Sequence, residues 1–532
     1  MNDNGKETNS TKKVCSTEKI NYLNYYVGHK RIKLRLVFEG IACGIVASLI
    51  VVLYRFAIDW ADHWRNVAIQ QVIANWHWIF LWLAALIVGG LVIAWSLRYE
   101  PLSSGSGIPQ IKGMIIGAVE AKWYKVILAK FIGGIVAILG GFSLGREGPS
   151  IQLGSSASAG MGKLLKKDPG EQRILLTCGA SAGLATAFNA PLAGLIFSLE
   201  EMHKNFSPIV LISALSSCVA ADFISKQFFG MSPVLNFTGI NIMPLTYYPY
   251  IIPLGILLGA FGLLFNKGLV STQDLINQSK LPKTAIPVVI MVVVGMVGLA
   301  LPQTLGGGHH LIMNLMEPTM VSWLLLLLLV KFILTMISYG SGAPGGIFLP
   351  LLALGALVGS IYGNLLVEWI GLPEVYVINF IILAMAATFT AIVRAPVTGI
   401  ILIVEMTASF KTLLPVLAIC LTAFFTAELM EYEPIYDTLL HRLLHKTKGI
   451  RIQPGSKKEV SEYTVCVGSY LEGKYLRDIE LPCDSLIINI TRRERNITPK
   501  GKFQFQVGDI LAIMANKCDG CELREKILEI TS

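Results

Sequence analysis

Three short stretches put residue types capable of chemistry inside an otherwise apolar chain: "GSGIPQ" (105–110), "GREGPSIQLG" (145–154) and "GGIFLP" (345–350). In each, glycines precede a proline and an apolar run. Glycine admits tight or left-handed backbone, and proline is welcome in the first helical turn, so each stretch predicts a helix start. A helix start leaves amide N–H groups unpaired and carries the positive end of the helix dipole. Several such ends brought together make an anion site that needs no buried cation. Ser106 adds a hydroxyl donor, and the amides of Ile347 and Phe348 are natural candidates from the third stretch. Such donors suit a desolvated halide, which they bind without trapping. Glu147 is itself an anion at one of these starts. It could occupy the site in place of a transported ion and leave when protonated, or it could cap its helix or pair with Arg146. The expense of an ionisable group at membrane depth favours a functional role.

The elements that must position these residues are membrane spans. The chain has 532 residues, 53% hydrophobic and only 15% charged, with a mean hydropathy of +0.61; soluble domains carry about 25% charged residues. Apolar stretches near the ~20 residues that cross a bilayer core recur at 36–58, 79–97, 207–228, 249–265, 284–301, 319–337 and 412–427. The first begins too late and runs too long for a secretory signal. A polytopic helical membrane protein is expected. The net charge of +9 is concentrated at the ends: eight Lys/Arg lie in the first 35 residues, and "HRLLHKTKGIRIQPGSKK" covers 441–458. Basic flanks beside apolar spans predict that both termini are cytoplasmic and touch anionic lipid, and give no reason to invoke nucleic acid.

Many apolar stretches are short and cut by Gly and Pro. Broken spans expose backbone groups that lipid cannot satisfy, and they are tolerated where they line a site. Two segments repeat: "APLAGLIFSLE" (190–200) and "APVTGIILIVE" (395–405) share A-P-x-x-G followed after five residues by Glu, and each follows a Gly/Pro-rich break. A structural repeat follows, of undetermined relative direction.

The three breaks in this order and spacing, together with "GLATAFNAPLAGLIFSLEEM" (183–202), resemble the signature motifs of the CLC family of chloride channels and chloride/proton antiporters over residues 35–440. The resemblance implies an all-α polytopic fold of two inverted repeats with many broken or tilted helices, assembled as a homodimer in the cell membrane. It assigns Ser106, the amides of Ile347 and Phe348, and the inner-gate tyrosine, matched by Tyr436 in "EPIYDTLLHR", to chloride. It makes Glu147 the protonation-operated external gate and Glu201, in "SLEEM", the internal proton relay. By residue type alone, Glu200–Glu201 would simply end a span at the interface; with the family match, chloride/proton antiport is expected, the alternative being a passive gated chloride channel on the same fold. Fluoride-preferring members depart from serine in the first motif, so "GSGIP" implies chloride. Glu200 and Glu405, equivalent in the repeat, are expected to be structural.

Residues 459–532 differ in kind. "EYTVCV", "DSLIINITRR" and "KFQFQVGDILAIMAN" are strand-like, and "CELREKILEI" reads as a closing helix. This small soluble α+β module resembles the TrkA C-terminal (RCK-C) ligand-sensing domain, which implies a regulatory role and a small-molecule ligand. The expected organisation is a disordered polar tail (1–20), a transmembrane domain (21–446), a linker (447–458) and this module.

Other motifs point elsewhere weakly. "GASAG" (179–183) fits the G-x-S-x-G nucleophile elbow, with Ser181 as nucleophile of an intramembrane hydrolase, but none of the eight histidines lies within a clear span, and small residues packing helix on helix explain it better. "GGGHH" (306–310) lacks a third metal ligand and reads as a loop. Cys518 and Cys521 form a C-x-x-C with no second pair, and nine scattered cysteines suggest no disulfide framework. No metal, cofactor or enzymatic activity is expected.

Overall fold

The computed structural model describes residues 7–204, 207–237, 239–317, 319–448, 458–465, 469–479, 481, 485–492 and 495–516, of which 7–33, 446–448, 458–462, 495–496 and 515–516 are described by their backbone alone. The C-x-x-C and the expected closing helix lie outside the described residues. The chain divides into two compact units, Met1–Leu443 and Leu444–Ser532.

The first unit is helical. Its first half holds α1 (Glu7–Ala74), α2 (Ile79–Tyr99), α3 (Ile108–Ile115), α4 (Trp123–Leu139), α5 (Glu147–Leu164), α6 (Pro169–Phe188), α7 (Pro191–Phe197) and α8 (Pro208–Phe229). Its second half answers them one for one with α9 (Ile251–Gln278), α10 (Ala285–Ala300), α11 (His309–Asn314), α12 (Val321–Gly340), α13 (Phe348–Ile370), α14 (Val377–Val393), α15 (Pro396–Thr407) and α16 (Leu413–Leu429). A last helix, α17 (Ile435–Lys448), leads out. Helix α1 begins within the polar stretch from which composition predicts disorder. No Gly or Pro interrupts 7–27, and a helix propagates cheaply once the following span has nucleated it.

Among the described residues, seven helices are long and apolar enough to cross a bilayer. Five answer expected spans. The stretches at 284–301 and 412–427 form the shorter α10 and α16, while α13 and α14 are two spans that the hydropathy reading missed. These two are the most buried, with 72% and 78% of their apolar windows inside the protein. Their flanking breaks, "GGIFLP" and "IVRAP", mark the ends of continuous helices: α14 runs unbroken to Val393, and Arg394 ends it in left-handed backbone at φ 65°.

The halves are joined by hydrogen bonds that a two-fold rotation exchanges. Gly145 donates to the Gly346 carbonyl at 2.6 Å, and Gly346 donates back to Gly145 at 2.8 Å, as an antiparallel bridge. Gly105 donates to Gly342 and Gly306 to Gly141, each at 3.3 Å. The Glu200 carboxylate, at the end of the segment that α7 starts, accepts from the amides of Val397 and Thr398 in the first turn of α15. The Glu405 carboxylate, near the end of α15, accepts from Leu192 and Ala193 in the first turn of α7. Each repeat therefore caps the other, and α7 and α15 run antiparallel, so the repeat is inverted.

Small residues let the helices between these junctions approach. "GASAG" lies in α6 and packs on α5: a methyl on Gly183 would lie 2.9 Å from the Ser150 carbonyl carbon and 3.0 Å from the Ile151 Cα. Ser181 is buried and donates its hydroxyl to Ser198 Oγ at 2.5 Å. The packing reading of this motif stands.

Among the described residues the second unit holds a four-stranded antiparallel sheet in the order β1-β4-β2-β3, with β1 Lys458–Thr464, β2 Leu486–Arg492, β3 Arg495–Ile497 and β4 Ile510–Asn516. Val465, Leu471, Ile487, Ile490, Phe505, Leu511 and Ile513 form its own core. "KFQFQ" contributes a bridge between Tyr475 and Gln504 in place of the expected strand. Buried Asp509 holds Arg492 through two contacts of 2.6 and 2.7 Å.

Gly183→Ala should lower stability by about 1–3 kcal/mol through overpacking, read as a lower unfolding temperature in detergent. Gly170→Ala, at an exposed first-turn position where an added methyl meets nothing within 4 Å, should leave that temperature unchanged or raise it.

Candidate functional site

Each of the three breaks starts a helix. Gly107, at φ 92°, precedes α3, and its repeat mate Gly308, at φ 100°, precedes α11. Arg146 precedes α5 and Ile347 precedes α13. The Gly145–Gly346 bridge sets the N-termini of α5 and α13 against each other, so their free amides and dipole ends converge from opposite directions.

The expected site residues gather around this junction. Glu147 is the first residue of α5 and fully buried. Neither of its carboxylate oxygens has a hydrogen-bond partner among the described residues. The amides of Glu147 and Leu349 are its favourable backbone neighbours, and a methyl on Gly145 would strike the carboxylate and lie 3.2 Å from the Leu349 nitrogen. The carboxylate thus lies between the two helix starts. Ser106 abuts the first turn of α5, since a methyl on Gly148 would come within 2.9 Å of its Cβ. Its hydroxyl accepts weakly from Ile108 N at 3.4 Å and lies beside Tyr339. Ile347 and Phe348 are fully buried. The Phe348 ring packs against Phe188, Phe197 and Phe389 at centroid distances of 5.2, 6.2 and 4.7 Å, which fixes the backbone that carries its amide. Tyr436, in the first turn of α17, is fully buried with its hydroxyl unpaired among the described residues, within electrostatic range of Tyr339, Glu201 and Glu147. The Ser106 and Tyr436 hydroxyls and the helix-start amides fit an anion; no buried side-chain cation is required.

The two adjacent glutamates diverge. They sit on a π-helical turn, Ser198–His203, that follows α7; such turns recur at functional sites. Glu200 serves α15, as above. Glu201 is buried and turns toward α3, where Lys112 Nζ meets its Oε1 at 2.7 Å. They do not simply end a span.

Four features escaped the sequence reading. Lys130 and Lys331 are fully buried and occupy equivalent places: Lys130 donates to the Ser103 and Gly105 carbonyls at 2.8 and 2.6 Å, Lys331 to Thr304 and Gly306 at 2.9 and 2.6 Å. Each ammonium ties down the loop before α3 or α11. A signal existed, because "KFI" recurs at 130–132 and 331–333 inside apolar runs. Lys112, within "GSGIPQIKGM", is the third. The fourth is Arg146, whose guanidinium donates to Asp59 at 2.8 Å. That pair lines a cavity of about 700 Å³ shared with Asp62, His63 and His309. "GGGHH" is loop only through Gly308; the histidines open α11, and His309 Nε2 lies 2.9 Å from the Val234 carbonyl oxygen.

Comparison with known proteins finds relatives for both units of the chain. Residues 89–428 match the family model described as voltage gated chloride channel, and residues 460–527 match the TrkA-C domain. The H(+)/Cl(−) exchange transporter ClcA of Vibrio cholerae serotype O1 is 34% identical over 438 residues, which cover 80% of this chain and 93% of the relative. ClcA of Klebsiella pneumoniae is 34% identical over 426 residues, covering 78% and 90%. Among solved structures, a slow cyanobacterial Cl−/H+ antiporter superimposes with a TM-score of 0.73 at 33% identity, covering 78% of this chain and 99% of that one. A CLC-type fluoride/proton antiporter shares the fold at a TM-score of 0.64 and 21% identity, covering 76% and 97%.

Glu200→Ala and Glu405→Ala should each cost about 0.5–2 kcal/mol, the value of a helix cap, seen as similar drops in unfolding temperature in detergent. Unequal losses, with one variant at wild-type stability, would contradict reciprocal capping.

Proposed function

This chain belongs to the voltage-gated chloride channel (CLC) family, is a multi-pass membrane protein, and is not an enzyme; from that premise we propose that it exchanges chloride for protons. The observation that carries the reading is the Glu147 carboxylate, buried between the starts of α5 and α13 without a hydrogen-bond partner among the described residues. An anion held there and a chloride ion want the same donors. Chloride enters a site made by the Ser106 hydroxyl, the amides of Ile347 and Phe348, and the Tyr436 hydroxyl at its inner limit. Deprotonated Glu147 competes for the outer part of that site. Protonation neutralises the carboxylate, which then loses its claim on the dipoles and yields to chloride.

Glu201 relays protons from the cytoplasmic side to Glu147. Its burial against Lys112 supports the role, because a passive channel has no need of a carboxylic acid held inside the protein at that place. Chloride, in preference to fluoride, is supported by the serine in "GSGIP" and by the 34% identity to curated chloride exchangers. The hydrolase alternative loses its chemistry, since the Ser181 hydroxyl is spent on Ser198. The protein acts as a homodimer in the cell membrane with both termini cytoplasmic, and the TrkA-C module regulates it on binding a small ligand.

In proteoliposomes, Glu147→Gln should keep chloride flux while chloride-driven proton movement falls about a hundredfold or to background, the loss expected on removing a proton-transfer group. Glu201→Gln should do the same; unchanged proton movement in either variant would refute the role of that residue. Deleting 453–532 should leave basal exchange intact and alter only its regulation. Complete loss of exchange in well-folded truncated protein would contradict a regulatory module.

A further inference from the structure

Lys112 is a buried cation that the exchange cycle as described does not use. It lies on α3, six residues after Ser106, and is 4% exposed. Its ammonium is shared: it meets Glu201 Oε1 at 2.7 Å and Asp437 Oδ1 at 2.6 Å. Asp437 follows Tyr436 directly, in the first turn of α17. Its other oxygen is held by Lys204, from the end of the π-helical turn. One cluster therefore joins the helix of the chloride-site serine, the relay glutamate and the helix of the inner-gate tyrosine. Lys112, Lys204, Glu201 and Asp437 are the charged groups that act on one another here; Tyr436 is within electrostatic range of Glu201, and on its other side of Tyr339 and Glu147, while neighbouring His203 is engaged with Thr177 at 2.6 Å.

We propose that Lys112 is a positioning residue for the exchange: by dividing its ammonium between Glu201 and Asp437, it makes proton occupancy of Glu201 a signal to the Tyr436 gate. This rests on the reading of Glu201 as relay. With Glu201 ionised, two ammoniums and two carboxylates cancel. When Glu201 takes a proton from water, the cluster gains one positive charge beside Tyr436, the Lys112 ammonium is left to Asp437, and α17 is held more firmly. The positive charge favours chloride at the inner limit of its site, and by reciprocity a chloride ion there favours the proton on Glu201. Lysine suits this place because its compact ammonium carries three donors and can serve two carboxylates at once. A hydrogen-bonded scaffold without a charge role would need no such division.

The test is the midpoint of chloride-driven proton uptake as pH is varied on the Glu201 side of proteoliposomes holding full-length protein. Lys112→Met strips Glu201 of its cation, so the carboxylate keeps its proton to higher pH, and the midpoint should move alkaline by about one unit or more, a tenfold change in proton affinity. Asp437→Asn leaves the ammonium to Glu201 alone, and the midpoint should move in the acid direction. Lys112→Arg should stay near wild type. A purely structural Lys112 would lower the amount of folded protein without moving the two midpoints in opposite directions. Coincident midpoints, or shifts of the same sign, overturn the proposal; if Lys112→Met fails to fold, an unmoved Asp437→Asn is enough to do so. Wild-type protein without proton movement would refute exchange itself and this inference with it, whereas normal wild-type exchange with unmoved variants refutes Lys112 alone.

Discussion

Lipid offers no hydrogen bonds, so a helix broken inside the membrane must find partners for its freed backbone groups within the protein. Here each break finds them in its symmetry mate. Gly145 and Gly346 bond each other and Glu200 and Glu405 cap each other's short helices, while Lys130 and Lys331 each bind loop carbonyls within their own half. Neither half could leave its breaks so exposed alone. The inverted repeat is thus the condition that allows helix starts to meet in the interior, and the proposed anion site is built from those starts.

From that constraint the rest follows in order. Opposed starts of α5 and α13 concentrate amide dipoles at one place, and a carboxylate on the first residue of α5 cannot avoid them. The small residues of α5 and α6 bring backbone close enough to exclude solvent, while the aromatic cluster around Phe348 keeps the α13 start from shifting. After α7, a π-helical turn lets two adjacent glutamates face opposite duties: Glu200 holds the repeats together and Glu201 meets Lys112.

Much of this was legible in the sequence because glycine and proline record backbone breaks directly, and because the A-P-x-x-G-x5-E repeat records the caps. The α13 and α14 spans were passed over because their neighbouring breaks are the same punctuation that marks the ends of spans elsewhere. The buried lysines were invisible for a different reason. An isolated Lys in an apolar run looks like an interfacial anchor until the loop carbonyls that receive it are placed in space. Arg146, unexplained by its pentapeptide, needed Asp59 from a helix 87 positions earlier. Tyr436 needed the packing of α17 to bring it within range of both Glu147 and Glu201.

The proposed exchange rests on competition between chloride and the Glu147 carboxylate for one set of helix-start donors. Simultaneous recording of chloride and proton flux from wild-type protein in vesicles tests it most directly. A chloride gradient should drive protons against their own gradient, in the opposite direction and in fixed proportion to chloride. Brisk chloride flux with no accompanying proton movement would contradict the account.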